Sequence, residues 1–533
     1  MKKMRISRKT IKAMSCTLVA AIALTGCGGS KNVSNEPSDE KFVFESYPIQ
    51  TEETLSIWSS LPRANSVVAE YAETDFAKLR EEMTGVKATY RQAPVGQEKE
   101  AFNILIASGE LPDIIEYAWG GYEGGIDKAI DEGVIIGLND ILPESAPNLY
   151  NYLQNDPEAD RFCKSYNGQY YAFPHIREAN TSYRGPMVRK DWLDELGLPI
   201  PETIDDWYVM LKAFKEKKGA TTPLTLPIQL INQGAFLGAY GVKIDFYIDE
   251  DHNVKYGPIE PGFKEGLMTL NKWYEEGLLD KNFATLNPQE WDANMLTGKS
   301  GATVGNGGGH LGKWMTAMET ENPDFYLYGV QYPTLNKGEI PKFGHMEYKV
   351  NFGIASAITT DCKNPHLAAR YLDFGYTDEG STMFNYGREG VSYVSENGAL
   401  KFTDKIHSNE NGWSVNNALS YYSQGDMGGS FFAKDTAALM PVDPNERFTN
   451  IEIWANTDEM KYRYPSVSLN NEAASEFSNI MGDLSTYVSE NVIQFIIGLK
   501  PISEYDNFVE QIKKMGIDRA IELKQEVANV YYK

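Results

Sequence analysis

Strand-like and helix-like hydrophobic patterns alternate along most of this chain, and this alternation constrains the fold more than any other feature. The segment ETLSIW (53–58) has the pattern of a strand, and VVAEYAETDFAKLREEMTG (67–85) has the period of a helix that ends at Gly85. KEAFNILIASG (99–109) predicts a second helix, and Ile114 and Ile115 predict a second short strand. This βαβα order favours an open α/β sheet with helices on its faces.

Capping residues predict where several further helices begin and end. Thr203 is the predicted N-cap of PETIDDWYVMLKAF (201–214), because Asp206 follows it at the capping-box spacing. Asn364 is the predicted N-cap of KNPHLAARYLDFGY (363–376), and the run 503–532 is predicted to be helical with a break at Gly516. The body of about 480 residues exceeds one typical hydrophobic core, so two domains are expected.

The N-terminus has the charge pattern of an export signal. Residues 1–12 contain six lysines and arginines and no acid, and AMSCTLVAAIAL (13–24) is almost wholly apolar. This apolar run is too short to span a bilayer, which needs about 20 residues in a helix. Residues 1–26 are therefore predicted to be a signal peptide.

The predicted signal ends in Leu24-Thr25-Gly26-Cys27, which resembles the bacterial lipoprotein box. That resemblance implies that Cys27 is alkylated with diacylglycerol and becomes the mature N-terminus, with palmitate among its acyl chains. Residues 27–50 are rich in Gly, Ser, Asn, Pro and charge, the composition of a flexible tether. The protein is therefore predicted to be lipid-anchored at the extracellular face of the cell membrane.

Charge and cysteine content exclude several classes of protein. The formal net charge is −24, and removal of the basic signal makes the mature chain more acidic still, so binding of nucleic acid through a basic face is disfavoured. Only Cys163 and Cys362 follow Cys27, so the chain is not a disulfide scaffold. These two cysteines either pair with each other or remain as buried free thiols.

Two motifs resemble cofactor sites but lack a required residue. GGGHLG (307–312) satisfies Gly-x-Gly-x-x-Gly, but the QYPT segment that follows has no acid for a ribose, so a loop lining a cleft is favoured. DEDHNVKYGPIE (249–260) has calcium-loop spacing, but Val254 stands where the sharp turn needs glycine, so a hairpin that binds no calcium is favoured. The six histidines show no metal-ligand spacing, and no G-x-S-x-G elbow occurs. No catalytic residue, metal or cofactor is predicted.

Aromatic residues beside glycines and polar residues are a more informative signal. Trp58 ends the first predicted strand, Tyr117 and Trp119 precede a Gly-Gly pair, and Trp413 follows a glycine. Sugars present flat C–H faces and a rim of hydroxyls, so their sites combine aromatic surfaces with polar side chains. These rings are candidate sugar-stacking surfaces, and core packing is the alternative for each of them.

From residue 24 to the C-terminus the chain resembles the extracellular solute-binding lipoproteins of carbohydrate ABC importers, in their long Gram-positive branch. The segments that carry the resemblance are LTGC (24–27), ASGELPDII (107–115), YNGQYYAFP (166–174), VRKDWLDELGLPIPETIDDW (188–207), AARYLDFGYTDEGSTMFNYG (368–387) and FIIGLKPISEYDNFVEQIKKMGID (495–518). The resemblance implies an α/β fold with two periplasmic-binding-protein-like lobes, a hinge and an interlobe ligand cleft. Lobe 1 is expected to comprise residues 51–180 and 348–395, and lobe 2 residues 181–347 and 396–533, with the third crossing after the helix that ends near Tyr386.

The resemblance also implies a function: a monomeric, non-enzymatic receptor that binds an oligosaccharide and delivers it to ABC permease subunits. A surface glycoside hydrolase or lyase and a sensory sugar-binding lipoprotein are the alternatives. GATVGNGGGH (301–310) resembles the place where shorter relatives put a strand and loop on the ligand. Arg63, Arg177 and Arg184 suit a uronate, because guanidinium forks match carboxylates, or they are structural. The candidate ligand-binding residues are Trp58, Arg63, Tyr117, Trp119, Tyr183, Trp291, Asn306, His310, Trp314 and Trp413.

Overall fold

A computed structural model describes residues 46–59, 67–94, 96–413, 415–424, 428–434, 444–465 and 469–532. Its strands are β1 (Thr54–Ser59), β2 (Lys87–Gln92), β3 (Ile114–Tyr117), β4 (Phe173–Arg177), β5 (Arg184–Arg189), β6 (Leu224–Thr225), β7 (Phe246–Ile248), β8 (Val254–Tyr256), β9 (Ala302–Asn306), β10 (Leu327–Gly329), β11 (Val350–Ile358), β12 (Tyr393–Glu396), β13 (Ala399–Phe402) and β14 (Phe431–Ala433). Its α-helices are α1 (Asp75–Thr84), α2 (Glu98–Ser108), α3 (Ile126–Asp131), α4 (Leu142–Ser145), α5 (Pro147–Asn155), α6 (Pro157–Phe162), α7 (Lys190–Leu196), α8 (Ile204–Lys218), α9 (Ile228–Asn232), α10 (Pro261–Glu275), α11 (Pro288–Leu296), α12 (Lys313–Met318), α13 (Pro365–Asp373), α14 (Asp378–Tyr386), α15 (Asp404–His407), α16 (Val415–Tyr422), α17 (Pro444–Ala455), α18 (Glu459–Tyr462), α19 (Asn471–Ile496), α20 (Tyr505–Lys514) and α21 (Ile517–Tyr531).

The described strands form two main sheets and two hairpins. The first sheet has the order β14-β4-β11-β3-β1-β2, and the second has the order β10-β5-β9-β6. In the first sheet β1 is parallel to β2 and β3, whereas β11 is antiparallel to β3 and β4. Apolar side chains of each sheet pack against helices, which confirms the expected α/β architecture.

Most of the predicted helix termini are confirmed. The Thr203 hydroxyl accepts the Asp206 N–H in a capping box at the start of α8, and Gly516, at φ 100°, separates α20 from α21. The first helix is shorter than predicted, because Thr74 is extended and its side chain accepts the Ala77 N–H, so α1 begins at Asp75. Residues 67–73 share the apolar period of α1, but they precede this cap.

The chain passes from the first sheet to the second between β4 and β5 and returns between β10 and β11, close to two of the expected crossings. The third crossing differs from the expectation, because β14 still pairs with β4 and so keeps part of segment 396–434 on the first sheet. Phe431 stacks on Phe384 at 4.7 Å, and a Cβ added to Gly375 would lie 2.0 Å from the Ser430 carbonyl oxygen. β14 has only three residues, which is too short for a hydrophobic period in the sequence to reveal it, and distant contacts hold it in place.

Cys163 and Cys362 are both buried and both free, so the alternative of two unpaired thiols is the one observed. Burial raises the pKa of the Cys163 thiol far above its ordinary value, and it also raises the pKa of Cys362, to about 12. Both thiols are therefore protonated at neutral pH and act as small apolar side chains.

The acidic loop at residue 249 forms the predicted hairpin, with β7 and β8 antiparallel. The carboxylate of Asp249 accepts the backbone N–H groups of Asp251 and Asn253 at 3.0 and 2.8 Å. Lys255 lies 3.6 Å from the second oxygen of the same carboxylate. Both oxygens of the Asp249 carboxylate, the first acid of the calcium-like pattern, therefore already have partners within the hairpin.

Removal of calcium is therefore expected to leave the melting temperature of the protein unchanged. Thermal unfolding with and without a chelator measures this, and Asp251→Ala, which removes one potential ligand, should melt at the same temperature as the parent in both conditions. A drop in melting temperature that calcium restores, and that Asp251→Ala abolishes, would contradict the prediction.

Candidate ligand-binding site

Three of the candidate residues form one aromatic cluster at the ends of β1 and β3. Tyr117 stacks on Phe102 with ring centroids 3.7 Å apart, and Trp58 meets Tyr117 at 6.0 Å. Trp119 is fully buried and donates from Nε1 to the Ala355 carbonyl at 3.1 Å, and Trp58 is only 4% exposed. The structure therefore places Trp58 and Trp119 in the core, against the expectation of a sugar surface, while Tyr117 stays partly exposed.

A second group of candidates lies on the second sheet, where β5 and β9 run antiparallel. Their register pairs Arg184 with Asn306, and Arg184 Nε donates to Asn306 Oδ1 at 2.8 Å. The glycine-rich segment after β9 forms a wide π-helical turn. This turn brings His310 back until its Nδ1 accepts the backbone N–H of Asn306 at 2.9 Å. Asn306 and His310 are therefore neighbours of Arg184, and the glycine-rich motif acts as a turn.

Trp291 and Trp314 pack behind this group. The Trp291 ring lies 4.1 Å from the His310 ring and 6.1 Å from the Trp314 ring, and its Nε1 donates to Thr303 Oγ1 at 3.0 Å. Trp314 is fully buried, and its Nε1 donates to Asp292 Oδ1 at 2.7 Å. Trp314 therefore supports the His310 ring from within the core, whereas the expectation was a ligand contact.

Tyr183 adjoins Arg184 and so belongs to the second group, whereas two other described candidates join neither group. Trp413 packs against Tyr421 at 5.1 Å, in a separate cluster beside the β12–β13 hairpin. Arg63 lies outside the described residues. Arg177 forms an ion pair with Glu347, as expected if this arginine has a structural role.

A cavity of about 700 Å³ opens beside Arg184 on the second sheet. Amide, aromatic and charged side chains share its wall, which is the mixed lining of small-molecule sites. Its lining residues are Arg184, Gln229, Leu230, Asn232, Gln233, Ala235, Lys243, Ile244, Asp245, Phe246, Val304, Tyr332, Gly344, His345, Met346, Glu459, Arg463, Tyr464, Pro465 and Lys524.

Sequence reasoning missed most of this lining. Gln229, Asn232 and Gln233 all come from α9 and its C-terminal cap, within PIQLINQ (227–233). Three amides in a short apolar segment are a signal that could have indicated them. Arg463 and Tyr464 follow α18 near the C-terminus, and no pattern in the sequence connects them with β5.

His345 lies in the linker between β10 and β11 and faces this cavity. Its backbone N–H donates to the Tyr332 hydroxyl at 3.1 Å, and that hydroxyl donates to the Arg184 carbonyl at 3.1 Å. The Tyr183 ring meets the imidazole at 4.4 Å. Burial, and next the charge of Arg184, lower the pKa of His345 to about 4. The imidazole is therefore neutral at pH 7, and its buried Nδ1 has no hydrogen-bond partner among the described residues.

Acidification from about pH 7.5 to about pH 5 is expected to reduce the free energy of unfolding, and by less in His345→Gln. The folded pKa of His345 lies near 4, below its ordinary value of 6.5, so in this interval the unfolded chain binds a proton that the folded chain does not. The stability from this group is full above pH 6.5 and is lost as the pH falls towards 4. Urea unfolding at both pH values measures the difference. An equal loss in parent and variant would contradict the assignment.

Among the described residues, no group of three or more His, Cys, Asp or Glu side chains is placed to hold a metal ion. Of the helices within the same residues, none combines the length and the apolar character that crossing a bilayer requires.

Several known proteins are similar to this chain along most of its length. The fructooligosaccharide ABC transporter substrate-binding protein FusA of Streptococcus pneumoniae serotype 4 is 24% identical over 98% of this chain and 98% of its own length. Lipoprotein LipO of Bacillus subtilis strain 168 is 25% identical over 93% of this chain and 94% of its own length. The solved structure of the alginate-binding protein AlgQ2 without calcium ion superimposes with a TM-score of 0.72, at 24% identity, over 91% of this chain and 100% of that one.

The structural likeness confirms the expected fold, a two-lobe, periplasmic-binding-protein-like arrangement of α/β sheets. The sequence profile of one family, described as bacterial extracellular solute-binding protein, matches residues 59–382, which is more than half of the chain and spans β1 to α14. The chain therefore belongs to the family of bacterial extracellular solute-binding proteins.

Proposed function

We propose that this protein is a lipid-anchored, non-enzymatic receptor that binds an oligosaccharide at the Arg184 cavity and delivers it to the permease of an ABC importer. The observation that carries the proposal is the cavity itself, whose volume of about 700 Å³ has room for several sugar rings. The names of the relatives above, which include a fructooligosaccharide importer subunit, an alginate-binding protein and a lipoprotein, support the carbohydrate class and the anchor.

The chemistry of the wall suits a sugar. Amide and guanidinium groups donate to and accept from hydroxyls, and the tyrosine rings offer faces to C–H groups. Asn232 and His345 line the cavity, and the Oδ1 atom of the first and the Nδ1 atom of the second are buried without partners among the described residues. Tyr183, Asn306 and His310, which adjoin Arg184, extend the proposed site.

The two sheets are proposed to be the cores of two lobes that close around the ligand. The connections between β4 and β5 and between β10 and β11 are the proposed hinge, and His345 belongs to the second of them. Closure about such connections is a known response of two-lobed binding proteins. Compaction in small-angle scattering when the sugar is added would support this closure, and unchanged scattering would contradict it.

Binding is tested by a thermal-shift screen of oligosaccharides followed by calorimetry. A ligand at 100 times its Kd should stabilise the protein by about 2.7 kcal/mol. Asn232→Ala should then weaken the affinity by about tenfold, because it removes a hydrogen-bonding group of the cavity. Asn103→Ala, an exposed change on α2, is the matched control and should bind as the parent does. Equal affinity in Asn232→Ala and the parent would contradict the placement of the site.

Two further measurements separate the alternatives. Incubation with the bound oligosaccharide should return it intact, because the proposed receptor has no catalytic role; release of shorter products would favour a glycoside hydrolase or lyase. Deletion of the permease should abolish uptake and leave binding unchanged. Uptake that persists without the permease would favour a sensory role.

Replacement of the proposed anchor, Cys27→Ala, is expected to release the protein into the culture medium. Stable anchoring needs two or more acyl chains at roughly 0.8 kcal/mol per buried CH₂ group, and this variant has no thiol to receive them. Immunoblots of membrane and medium fractions measure the distribution. A variant that remains on membranes after a high-salt wash would contradict lipidation at Cys27.

A further inference from the structure

The cavity carries a local excess of positive charge in a protein whose formal net charge is −24. Four cationic side chains line it, and two acids share the wall; the cations are Arg184, Lys243, Arg463 and Lys524, and the acids are Asp245 and Glu459. An acidic chain that gathers cations at one cavity creates a favourable potential there for an anion.

After one ion pair is set aside, three cations remain in the wall, Arg184, Arg463 and Lys524, against one acid, Asp245. Lys243 is neutralised by Glu459 at 2.8 Å. Within the part of the chain that the structure describes, Arg184, Arg463 and Lys524 have no carboxylate within 4.0 Å. Other arginines of the described residues are paired, for example Arg177 with Glu347 and Arg189 with Asp191. The cavity wall therefore holds cations whose charge no nearby carboxylate neutralises.

Each unpaired arginine is held in place while some of its donors stay unused. Arg184 Nε donates to Asn306 Oδ1 at 2.8 Å, and its Nη1 donates to Gln233 Oε1 at 2.5 Å. Among the described residues, the Arg463 side chain donates one long hydrogen bond, from Nη1 to the Met346 carbonyl at 3.4 Å. Both guanidinium groups are partly exposed, so a ligand in the cavity can reach them.

The two guanidinium groups act on the same small region. Arg184, Arg463 and His345 all line the same cavity, and Arg463 Nη1 donates to the carbonyl of Met346, the residue next to His345, at 3.4 Å. Aromatic rings flank the cations. Arg184 lies 5.6 Å from the centre of the Tyr183 ring, and Lys524 Nζ lies 4.0 Å from the centre of the Tyr464 ring. This combination of aromatic faces and cations suits a sugar ring that carries an anionic group.

We propose that the oligosaccharide is acidic, and that the carboxylate of a uronic acid unit binds between Arg184 and Arg463 with Lys524 contributing charge. The inference rests on the proposed function, because it specifies the ligand of the same cavity. Guanidinium forks match the two oxygens of a carboxylate, and a charge-assisted hydrogen bond is roughly twice as strong as a neutral one. The side-chain amides of α9 and its C-terminal cap are then available to bind the hydroxyl groups of the sugar.

Calorimetric titration of the purified protein tests the proposal. The probes are oligogalacturonates, oligomannuronates and glucuronate-bearing xylo-oligosaccharides, each compared with its methyl-esterified form, and a set of neutral fructo- and malto-oligosaccharides. At least one acidic probe should bind, and esterification should weaken its binding by about thirtyfold or more. Salt should weaken binding of the acidic probe and leave binding of a neutral one unchanged.

Variants locate the carboxylate. Arg184→Gln and Arg463→Gln should each weaken binding of the acidic probe by about thirtyfold or more, and Arg463→Lys, which keeps the charge but loses the fork, should weaken it less. Arg388→Gln, which removes an arginine that pairs with Asp75 and Glu82, is the matched control and should bind as the parent does. Melting temperatures of all variants show whether a loss of binding reflects unfolding.

The outcomes distinguish this inference from the proposed function. A neutral oligosaccharide that binds tightly, with an affinity that Arg463→Gln leaves unchanged, would overturn the acidic ligand and leave the receptor function intact. The same holds if an acidic probe and its ester bind equally. If no probe of either kind binds, both proposals fail.

Discussion

Trp119→Ala is expected to lower the free energy of unfolding by about 3 to 5 kcal/mol and to leave the affinity for a bound sugar unchanged. The indole is fully buried, and its ring lies 5.6 Å from Phe102 and 6.4 Å from Tyr122. Its removal leaves a cavity between β3 and β11 and deprives the Ala355 carbonyl of a donor at 3.1 Å. Urea unfolding measures the stability, and calorimetry measures the affinity.

Trp119→Phe is the matched variant for this prediction. It keeps an aromatic ring in the same space and loses the N–H donor, so it should cost less than alanine does. A Trp119→Ala protein that unfolds at the parent's urea concentration but binds sugar some thirtyfold more weakly would return this residue to the ligand site.

Glu459→Ala is expected to lower the free energy of unfolding by about 3 to 5 kcal/mol, because it leaves the Lys243 ammonium buried without its partner. The two side chains are 9% and 12% exposed, so water screens them little, and they meet at 2.8 Å. The second oxygen of Glu459 also accepts the Gly344 N–H at 3.4 Å, in the linker that leads to β11. Loss of this carboxylate therefore affects both the cavity wall and the proposed hinge.

A double-mutant cycle separates the interaction energy of the Lys243–Glu459 pair from the contribution of each side chain alone. Lys243→Met combined with Glu459→Met should recover most of the stability that Glu459→Ala loses, because no uncompensated charge remains. Glu476→Ala, which breaks a surface pair with Arg519, is the control and should change the stability little. If the losses in Lys243→Met and Glu459→Met add up to the loss in the double variant, the two side chains are not coupled.

The local sequence indicated turns and strand ends near the candidate site, but it did not show which side chains are buried, because burial depends on tertiary packing. The glycine-rich segment at 307–312 was predicted to be a loop that lines a cleft; it forms a π-helical turn after β9, and its place at a ligand site stays a prediction. Trp314, in α12, is fully buried. Trp58 and Trp119 were candidates for sugar stacking with core packing as the alternative, and the structure buries both. A tryptophan at a strand end has the same neighbours in sequence whether its ring faces a ligand or the core. Only the rings of Phe102 and Tyr122 decide that question.

By itself, the sequence determined the α/β class, the membership in the solute-binding family, most helix caps and the hairpin at 249, because periodicity, capping and turn chemistry act over a few residues. The tertiary structure alone decided that β14 returns to the first sheet and that the cavity combines β5, α9 and the segment at 463. Arg184 and Arg463 are 279 positions apart by their numbers, and only the folding of the chain brings both to the wall of one cavity. Contacts between distant segments depend on the fold as a whole, and no local pattern of residues records them.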